Sequence, residues 1–145
     1  MVYRKLGSTP FSISEIGLGT AQLSNTNNRY KGVKYVCLEE ARKIISTAIE
    51  GGVNFFDTGA HYGNSELLFK EIKYRHKDNI IIATKAGMGN DGIRDFSFSA
   101  LREQIESSLK KMGVECLDLL QISKPTAKDL KDGRLFSLLD KLKDE

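Results

Sequence analysis

Apolar residues recur along the chain in two periods, one typical of helices and one typical of buried strands. From Leu38 to Ile49 they recur with helical spacing, which predicts an amphipathic helix that ends at the Gly51-Gly52 pair, where a terminating glycine is expected. The short apolar run at residues 53–56 then predicts a buried strand. Helix and strand therefore alternate in this region.

The alternation continues toward the C-terminus, after a hairpin and a first strand near the N-terminus. Two short apolar runs either side of Gly7-Ser8-Thr9-Pro10 predict the hairpin, at residues 2–6 and 11–16, and a polar stretch at 24–36 predicts a long loop. Four strand–helix units follow the hairpin. The later predictions are a helix over 67–72 that Asn64 or Ser65 can cap, strands at 79–84 and within 114–123, a helix over 98–112 ending at Gly113, and a helix over 135–142.

This order of elements predicts an α/β fold with a parallel sheet, because a crossover helix is what returns the chain to start a neighbouring parallel strand. Two closures are possible. One is an open doubly wound sheet, and the other is part of a (β/α)8 barrel of the TIM type, whose eight units take about 250 residues. In both, functional groups gather where the strands end.

Composition narrows the class of protein. With 145 residues, 40% of them apolar and 28% charged, the chain fits one globular domain over residues 1–145 rather than a disordered segment. The net charge of +3 gives no reason to expect nucleic acid or an anionic membrane as partner. Cys37 and Cys116 are too few for a disulfide framework or a zinc site, and no secretory signal is visible. We therefore expect no metal and a cytoplasmic location.

Four residues stand where the predicted strands end: Thr20, Asp57, Lys85 and Ser123. Asp57 and Lys85 follow adjacent strands, which lie about 4.8 Å apart in a sheet, so the two side chains can pair. Tyr62 follows in a short loop. A nearby ammonium favours the phenolate and so makes a tyrosine a better acid. This set suits carbonyl reduction, in which a nicotinamide gives hydride to carbon and Tyr62 gives a proton to oxygen.

The residues around this set resemble the aldo-keto reductases, here the N-terminal half of their barrel. The resemblance implies a (β/α)8 barrel, NADPH as cofactor, and a tetrad of Asp, Tyr, Lys and His, of which Asp57, Tyr62 and Lys85 match three. With it we expect Gly19, Thr20, Asp57 and Lys85 to contact the cofactor. The matching stretches are Gly51-Gly52-Val53-Asn54-Phe55-Phe56-Asp57-Thr58, Tyr62-Gly63-Asn64-Ser65-Glu66, Ala83-Thr84-Lys85, Ser107-Ser108-Leu109-Lys110-Lys111-Met112-Gly113 and Leu117-Asp118-Leu119-Leu120-Gln121-Ile122.

Two departures from the family pattern bear on activity. Ser123 precedes Lys124-Pro125 where the resemblance places the tetrad histidine, and a serine supplies a hydrogen bond but no imidazole. The chain also stops after what resembles the fourth barrel helix. We therefore expect an NADPH-dependent reductase of an aldehyde or ketone, weakened or inactive in this short chain, or alternatively a non-catalytic binding or regulatory module. Its expected partners are a small carbonyl substrate and either a second copy or a missing C-terminal half.

Weaker signals receive simpler interpretations. We interpret His61 as a solvated loop residue rather than a site residue. The glycines at 87, 89 and 92 lack the Gly-Lys-Ser/Thr of a phosphate-binding loop, so they predict a flexible loop.

Overall fold

The computed structural model describes residues 1–23, 36–75, 79–131 and 133–144. The loop predicted for residues 24–36 lies almost wholly outside the described residues. Within them, no helix is both long enough and apolar enough to cross a membrane.

A hairpin opens the chain, as the sequence predicts. Strand β1 (Tyr3–Lys5) pairs antiparallel with β2 (Ser12–Ser14). Asn54 ties it to the rest of the molecule, since its side-chain oxygen accepts the Ser14 N–H at 2.7 Å and its side-chain nitrogen donates to the Ser12 carbonyl at 2.9 Å. The hairpin is thereby fixed against the start of the main sheet.

The main sheet has four strands, all parallel, in chain order β3-β4-β5-β6. Its register aligns Gly19 with Asp57 and Asp57 with Ala83, and further along aligns Lys85 with Gln121. The strands of this sheet are β3 (Leu18–Gly19), β4 (Phe55–Asp57), β5 (Ile81–Ala86) and β6 (Leu119–Ile122).

Helices connect these strands, and the predicted order of four strand–helix units is confirmed. A 3-10 turn at Ser65–Leu68 precedes α2, and a short helix that the periodicity did not predict, α4, precedes α5. The helices are α1 (Leu38–Glu50), α2 (Phe69–Arg75), α3 (Phe98–Met112), α4 (Ala127–Lys131) and α5 (Arg134–Asp144).

The core lies between the helices and one face of the sheet. One cluster joins α1 and α2 to the sheet through Ile45, Phe56, Phe69 and Ile82, each at most 2% exposed. A second cluster joins α3 and α5 to β5 and includes Leu101 and Leu135. Side chains alternate between the two faces of a strand, so the residues directly before and after Phe56 and Ile82 in the sequence lie on the face of the sheet that the helices do not cover.

One expectation about helix ends is confirmed and another is wrong. Helix α1 ends at the Gly51-Gly52 pair as predicted: Gly51 is the cap residue with φ −73°, and Gly52 takes the left-handed conformation at φ +89°, where an added Cβ would lie 2.8 Å from the Met1 Cβ. Neither Asn64 nor Ser65 caps the helix that follows: Asn64 occupies the cap position without a side-chain cap bond, and the Ser65 hydroxyl bonds the Thr58 hydroxyl at 2.8 Å. Ser65 therefore makes a buried side-chain hydrogen bond rather than a helix cap.

Helix α3 has a side-chain cap at its N-terminus. The Ser97 hydroxyl accepts the Ala100 N–H at 3.3 Å. Just upstream, the Asp95 carboxylate accepts the Ser97 N–H at 2.8 Å, and this hydrogen bond lowers the pKa of Asp95 from its ordinary value. At its C-terminus α3 ends on Gly113 with φ +66°, as predicted.

Replacing Ser97 with alanine should lower the free energy of unfolding by about 1 kcal/mol, because the Ala100 N–H loses its capping acceptor. Urea denaturation followed by circular dichroism measures this loss. Ser107→Ala, an exposed position inside the same helix, is the matched control and should be neutral or slightly stabilising, since alanine favours helix. Equal losses in both variants would contradict a capping role.

Candidate functional site

The site lies where the parallel strands end. Asp57 closes β4, and Lys85 lies near the end of the adjacent β5. The Lys85 Nζ is 2.6 Å from the Asp57 Oδ2 and also donates to the Thr58 carbonyl at 2.8 Å. The structure thus brings together the two charges that the sequence predicted to meet.

The pair is only partly accessible to solvent. The Lys85 side chain is 16% exposed and the Asp57 side chain 39% exposed. An ammonium has three N–H donors, and Asp57 and Thr58 take two of them. Among the hydrogen bonds of the described residues, one N–H of Lys85 is therefore left for a phenol or a substrate oxygen.

Tyr62 lies beside this ammonium. The Lys85 Nζ is 5.0 Å from the centre of the Tyr62 ring, within the range of a cation–π contact. The loop carrying Tyr62 is tight, because the Tyr62 N–H donates to the Gly59 carbonyl at 2.9 Å and the Ser65 N–H to the Tyr62 carbonyl at 3.2 Å. The structure therefore holds the half-buried phenol next to the pair.

Gln121 is a site residue that sequence reasoning missed. Its side-chain nitrogen donates to the second oxygen of Asp57, Oδ1, at 3.3 Å. The register explains this contact: Gln121 aligns with Lys85 on the neighbouring strand, and aligned residues face the same side of a sheet. Gln121 and Lys85 therefore fix the Asp57 carboxylate from both of its oxygens.

The predicted cofactor contacts Gly19 and Thr20 lie at the end of β3, aligned with Asp57. Gly19 is exposed, and a Cβ added there would meet nothing within 4 Å. Thr20 is fully buried, and its hydroxyl and N–H both donate to the Asp57 carbonyl, at 3.0 and 2.9 Å. Thr20 holds the backbone of Asp57 in place, while Gly19 leaves open space beside it.

Ser123 lies just beyond β6 and is 3% exposed. Its N–H donates to the Ala86 carbonyl at 2.8 Å, which continues the register of β5 and β6. Among the hydrogen bonds of the described residues, none joins the Ser123 hydroxyl to Asp57, Tyr62 or Lys85. Within the described residues, the fourth predicted site position thus lies just past the end of β6 without a hydrogen bond from its hydroxyl to the other three.

His61 is buried, and its interpretation as a solvated loop residue is wrong. The side chain is 3% exposed, and its ring meets the Tyr62 ring edge to face at a centre distance of 4.5 Å. A Cβ added to Gly59 would lie 3.3 Å from the imidazole and 3.4 Å from the Lys85 Cβ. The imidazole therefore packs closely against Gly59, and a side chain there would have to shift it by a few tenths of an ångström.

A buried polar layer supports the site from the helical side of the sheet. Glu66 is fully buried, accepts the Thr84 hydroxyl at 2.7 Å and lies 3.2 Å from the Lys111 Nζ. Thr84 directly precedes Lys85, so this layer fixes the end of β5. Sequence reasoning did not assign Glu66 a role, although a carboxylate inside an otherwise apolar 3-10 turn was the available signal.

The arrangement suits chemistry in which negative charge develops on an oxygen. A partly desolvated ammonium stabilises such charge, and an adjacent phenol can donate a proton to it. Within residues 1–23, 36–75, 79–131 and 133–144, no group of three His, Cys, Asp or Glu side chains is placed to hold a metal ion.

Sequence comparison gives a consistent family. The model of the Aldo/keto reductase family matches residues 15–145. The uncharacterized oxidoreductase YqkF of Bacillus subtilis is 34% identical over 134 residues, covering 87% of this chain and 40% of YqkF. L-galactose dehydrogenase of Arabidopsis thaliana is 30% identical over 122 residues, covering 81% of this chain and 36% of that protein. The chain therefore spans 40% or less of the length of these two relatives.

Solved structures agree. PA4992 of Pseudomonas aeruginosa superposes with a TM-score of 0.85 at 25% identity, covering 99% of this chain and 56% of that one. The holo form of the aldo-keto reductase AKR11C1 of Bacillus halodurans superposes with a TM-score of 0.80 at 25% identity, covering 99% of this chain and 47% of that one. The four-stranded fold is thus part of a (β/α)8 barrel, and an open doubly wound sheet is excluded.

Proposed function

The chain belongs to the aldo-keto reductase family, and we propose that it takes part in the NADPH-dependent reduction of an aldehyde or ketone, with Tyr62 as proton donor. One observation carries the proposal. The Lys85 ammonium lies 2.6 Å from Asp57 and 5.0 Å from the centre of the Tyr62 ring, at the end of the strands where barrel enzymes place their catalytic groups. The cytoplasm remains the expected compartment from the sequence.

The residues divide the work of the reaction. Asp57, fixed by Gln121 and Thr20, keeps the Lys85 ammonium in place. Lys85 stabilises the negative charge that develops on the substrate oxygen. As the carbonyl carbon accepts hydride, its oxygen takes a proton from Tyr62, and the product is an alcohol.

The residues of the site fit a nicotinamide cofactor. The bound group would supply the hydride. Gly19 offers open space at the rim, and Lys85 has an N–H beyond the two that Asp57 and Thr58 use. The cofactor would contact Gly19, Asp57 and Lys85. Thr20 would hold the Asp57 backbone in position through its two hydrogen bonds to the Asp57 carbonyl.

Ser123 favours a second candidate function. A serine here supplies no imidazole, and among the described residues its hydroxyl makes no hydrogen bond to Asp57, Tyr62 or Lys85. A non-catalytic module that binds the cofactor without turnover would need only the cofactor contacts. Binding and turnover must therefore be measured separately.

Titrating NADPH into the purified chain tests cofactor binding. The chain has no tryptophan, so the emission of the dinucleotide itself is followed. We expect saturable binding, and Lys85→Met should raise the Kd by roughly 10- to 100-fold, because charge-assisted hydrogen bonds contribute about 1.5–3 kcal/mol. Asp57 is 39% exposed, so water can solvate its carboxylate in this variant and the fold should survive.

Lys43→Met is the matched control. Lys43 is 74% exposed on α1 and pairs only with Glu39 of the same helix among the described residues. Its loss should leave the Kd unchanged. A titration that does not saturate, or equal losses in both variants, would contradict a cofactor site at Lys85.

A further inference from the structure

The turn that follows Tyr62 carries two buried polar side chains, at positions 65 and 66. Ser65 and Glu66 open the 3-10 turn before α2, and both are fully buried. Burying a carboxylate costs free energy, because the charge loses its hydration and needs polar partners in return. Apolar residues of similar volume often serve stability as well as a buried ion pair does, or better. The contacts of Ser65 and Glu66 therefore point to a role beyond stability.

Ser65 holds the turn against the end of β4. Its hydroxyl bonds the Thr58 hydroxyl at 2.8 Å, and both residues are fully buried. Thr58 directly follows Asp57, and its carbonyl accepts the Lys85 ammonium at 2.8 Å. The Ser65 N–H also donates to the Tyr62 carbonyl at 3.2 Å. Ser65 thus joins the backbone of Tyr62 to the residue whose carbonyl holds Lys85.

Glu66 holds the same turn against β5. Its Oε1 accepts the Thr84 hydroxyl at 2.7 Å, and Thr84 directly precedes Lys85. Its other oxygen, Oε2, lies 3.2 Å from the Lys111 Nζ of α3. Lys111 is half-buried, so its ammonium offsets the charge of the buried carboxylate. Glu66 therefore connects the turn both to the strand that carries Lys85 and to a helix of the outer layer.

Both hydrogen bonds lie on the side of the sheet opposite the charged pair. Side chains alternate between the two faces of a strand, so a threonine next to a charged residue faces the other side. Thr58 continues the hydrogen-bond ladder of β4 through its N–H, and Thr84 lies within β5. Beside the charged pair, the Lys85 Nζ is 5.0 Å from the centre of the Tyr62 ring. This distance therefore depends on where the two threonines hold the turn.

We propose that Ser65 and Glu66 are positioning residues for the reduction. They fix the turn that carries Tyr62 to the ends of β4 and β5, and so keep the phenol beside the Lys85 ammonium. Both are fully buried, so they act through Tyr62 and not on the substrate. The inference rests on the proposed function, in which Tyr62 gives the proton. The contact between phenol and ammonium exists without substrate or cofactor, so it can be measured apart from turnover.

Two replacements of Thr84 separate the hydrogen bond from packing. Thr84→Val keeps the shape and removes the hydroxyl that Glu66 accepts, whereas Thr84→Ser keeps the hydroxyl and removes a methyl group. Strand β5 is paired on both of its sides, so it should stay in place in both variants. NMR on the chain without cofactor measures nuclear Overhauser effects between the Tyr62 ring and the Lys85 side chain. Thr84→Val should lose most of this signal, and Thr84→Ser should keep it.

Ser65→Ala is a second variant, aimed at the hydrogen bond to Thr58. The replacement removes only the hydroxyl, so the packing of the turn changes little. We expect the signal between the Tyr62 ring and the Lys85 side chain to weaken here as well. Far-UV circular dichroism checks the fold of each variant, and Ser65→Ala tests the proposal even if Thr84→Val does not fold.

Turnover provides a second readout. Thr84→Val should lower kcat for carbonyl reduction by roughly 10-fold, because a small misplacement of a reacting group slows the reaction. The Kd of NADPH should stay nearly unchanged. In a Tyr62→Phe background the same replacement should cause no further loss of kcat, because the proton donor is already absent. A merely structural role would lower kcat equally in both backgrounds.

Three outcomes would overturn the proposal. The first is a signal between Tyr62 and Lys85 that survives in both Thr84→Val and Ser65→Ala. The second is a loss in Thr84→Ser as large as in Thr84→Val, which would make packing the cause. The third is an equal loss of kcat in the Tyr62→Phe background. A chain that shows the expected NMR changes but reduces no carbonyl would instead contradict the proposed function and support the placement of Tyr62.

Discussion

Replacing Tyr62 with phenylalanine should lower the rate of carbonyl reduction by about 10²- to 10⁴-fold, the usual contribution of a positioned general acid. The phenylalanine ring keeps the contact with Lys85 and with His61, so the only group lost is the hydroxyl that gives the proton. NADPH affinity should therefore stay nearly unchanged. Oxidation of NADPH over a panel of aldehydes and ketones gives the rate, and the emission titration gives the Kd.

Tyr74→Phe is the control, since Tyr74 is 79% exposed on α2, a helix that packs on the opposite face of the sheet from Asp57 and Lys85. Its rate should equal that of the parent. A Tyr62→Phe variant as fast as the parent would contradict the proton-donor role. A parent that binds NADPH yet reduces none of the panel would favour the non-catalytic module instead.

Replacing Phe56 with alanine should lower the free energy of unfolding by about 3–5 kcal/mol, the range for a buried phenylalanine. Phe56 is fully buried and meets Phe69 edge to face at 5.6 Å, so the change leaves a cavity between β4 and α2. Asp57 is the next residue along the chain, so its position at the end of β4 should also become less well fixed in this variant. Urea denaturation followed by circular dichroism is the measurement.

Tyr74→Ala serves as the aromatic control and should change the stability by less than about 0.5 kcal/mol, as is usual for an exposed position. A loss at Phe56 no larger than this would mean that the core reorganises around the cavity.

The long helices and the alternating order could be predicted because their signal is local. The stripe positions Ile45 and Leu101 are fully buried, as the spacing of apolar residues required. Gly113 adopts the left-handed conformation that ends α3. In each case the residues that set the element lie within one or two turns of each other, so the period alone identifies the buried side.

Part of the site could not be predicted, because its contacts depend on the register between distant strands. Gln121 bonds Asp57 across 64 positions, and Lys111 reaches Glu66 across 45. His61 is buried against the Tyr62 ring and close to Gly59. No periodicity encodes such pairings. They follow once the strands are aligned, because the aligned residues then share one face.

Helix α4 was missed although its signal was present. Thr126 and Asp129 are three positions apart, and each side chain accepts a backbone N–H of the other, at 2.7 Å to Asp129 and 3.3 Å to Thr126. This is a capping box with aspartate in place of the usual glutamate. Capping chemistry, rather than periodicity, was the signal for this five-residue helix.

Because Ser123 is buried, replacing it with a larger side chain carries a cost in stability. A histidine there would enlarge a side chain that is 3% exposed, and overpacking of this kind costs about 1–3 kcal/mol. The next residue, Lys124, already adopts φ +52°, a backbone conformation that costs a residue other than glycine about 1–2 kcal/mol. Placing a histidine at position 123 alone should therefore lower the free energy of unfolding. An imidazole could be accommodated here only if the residues packed around Ser123 changed as well.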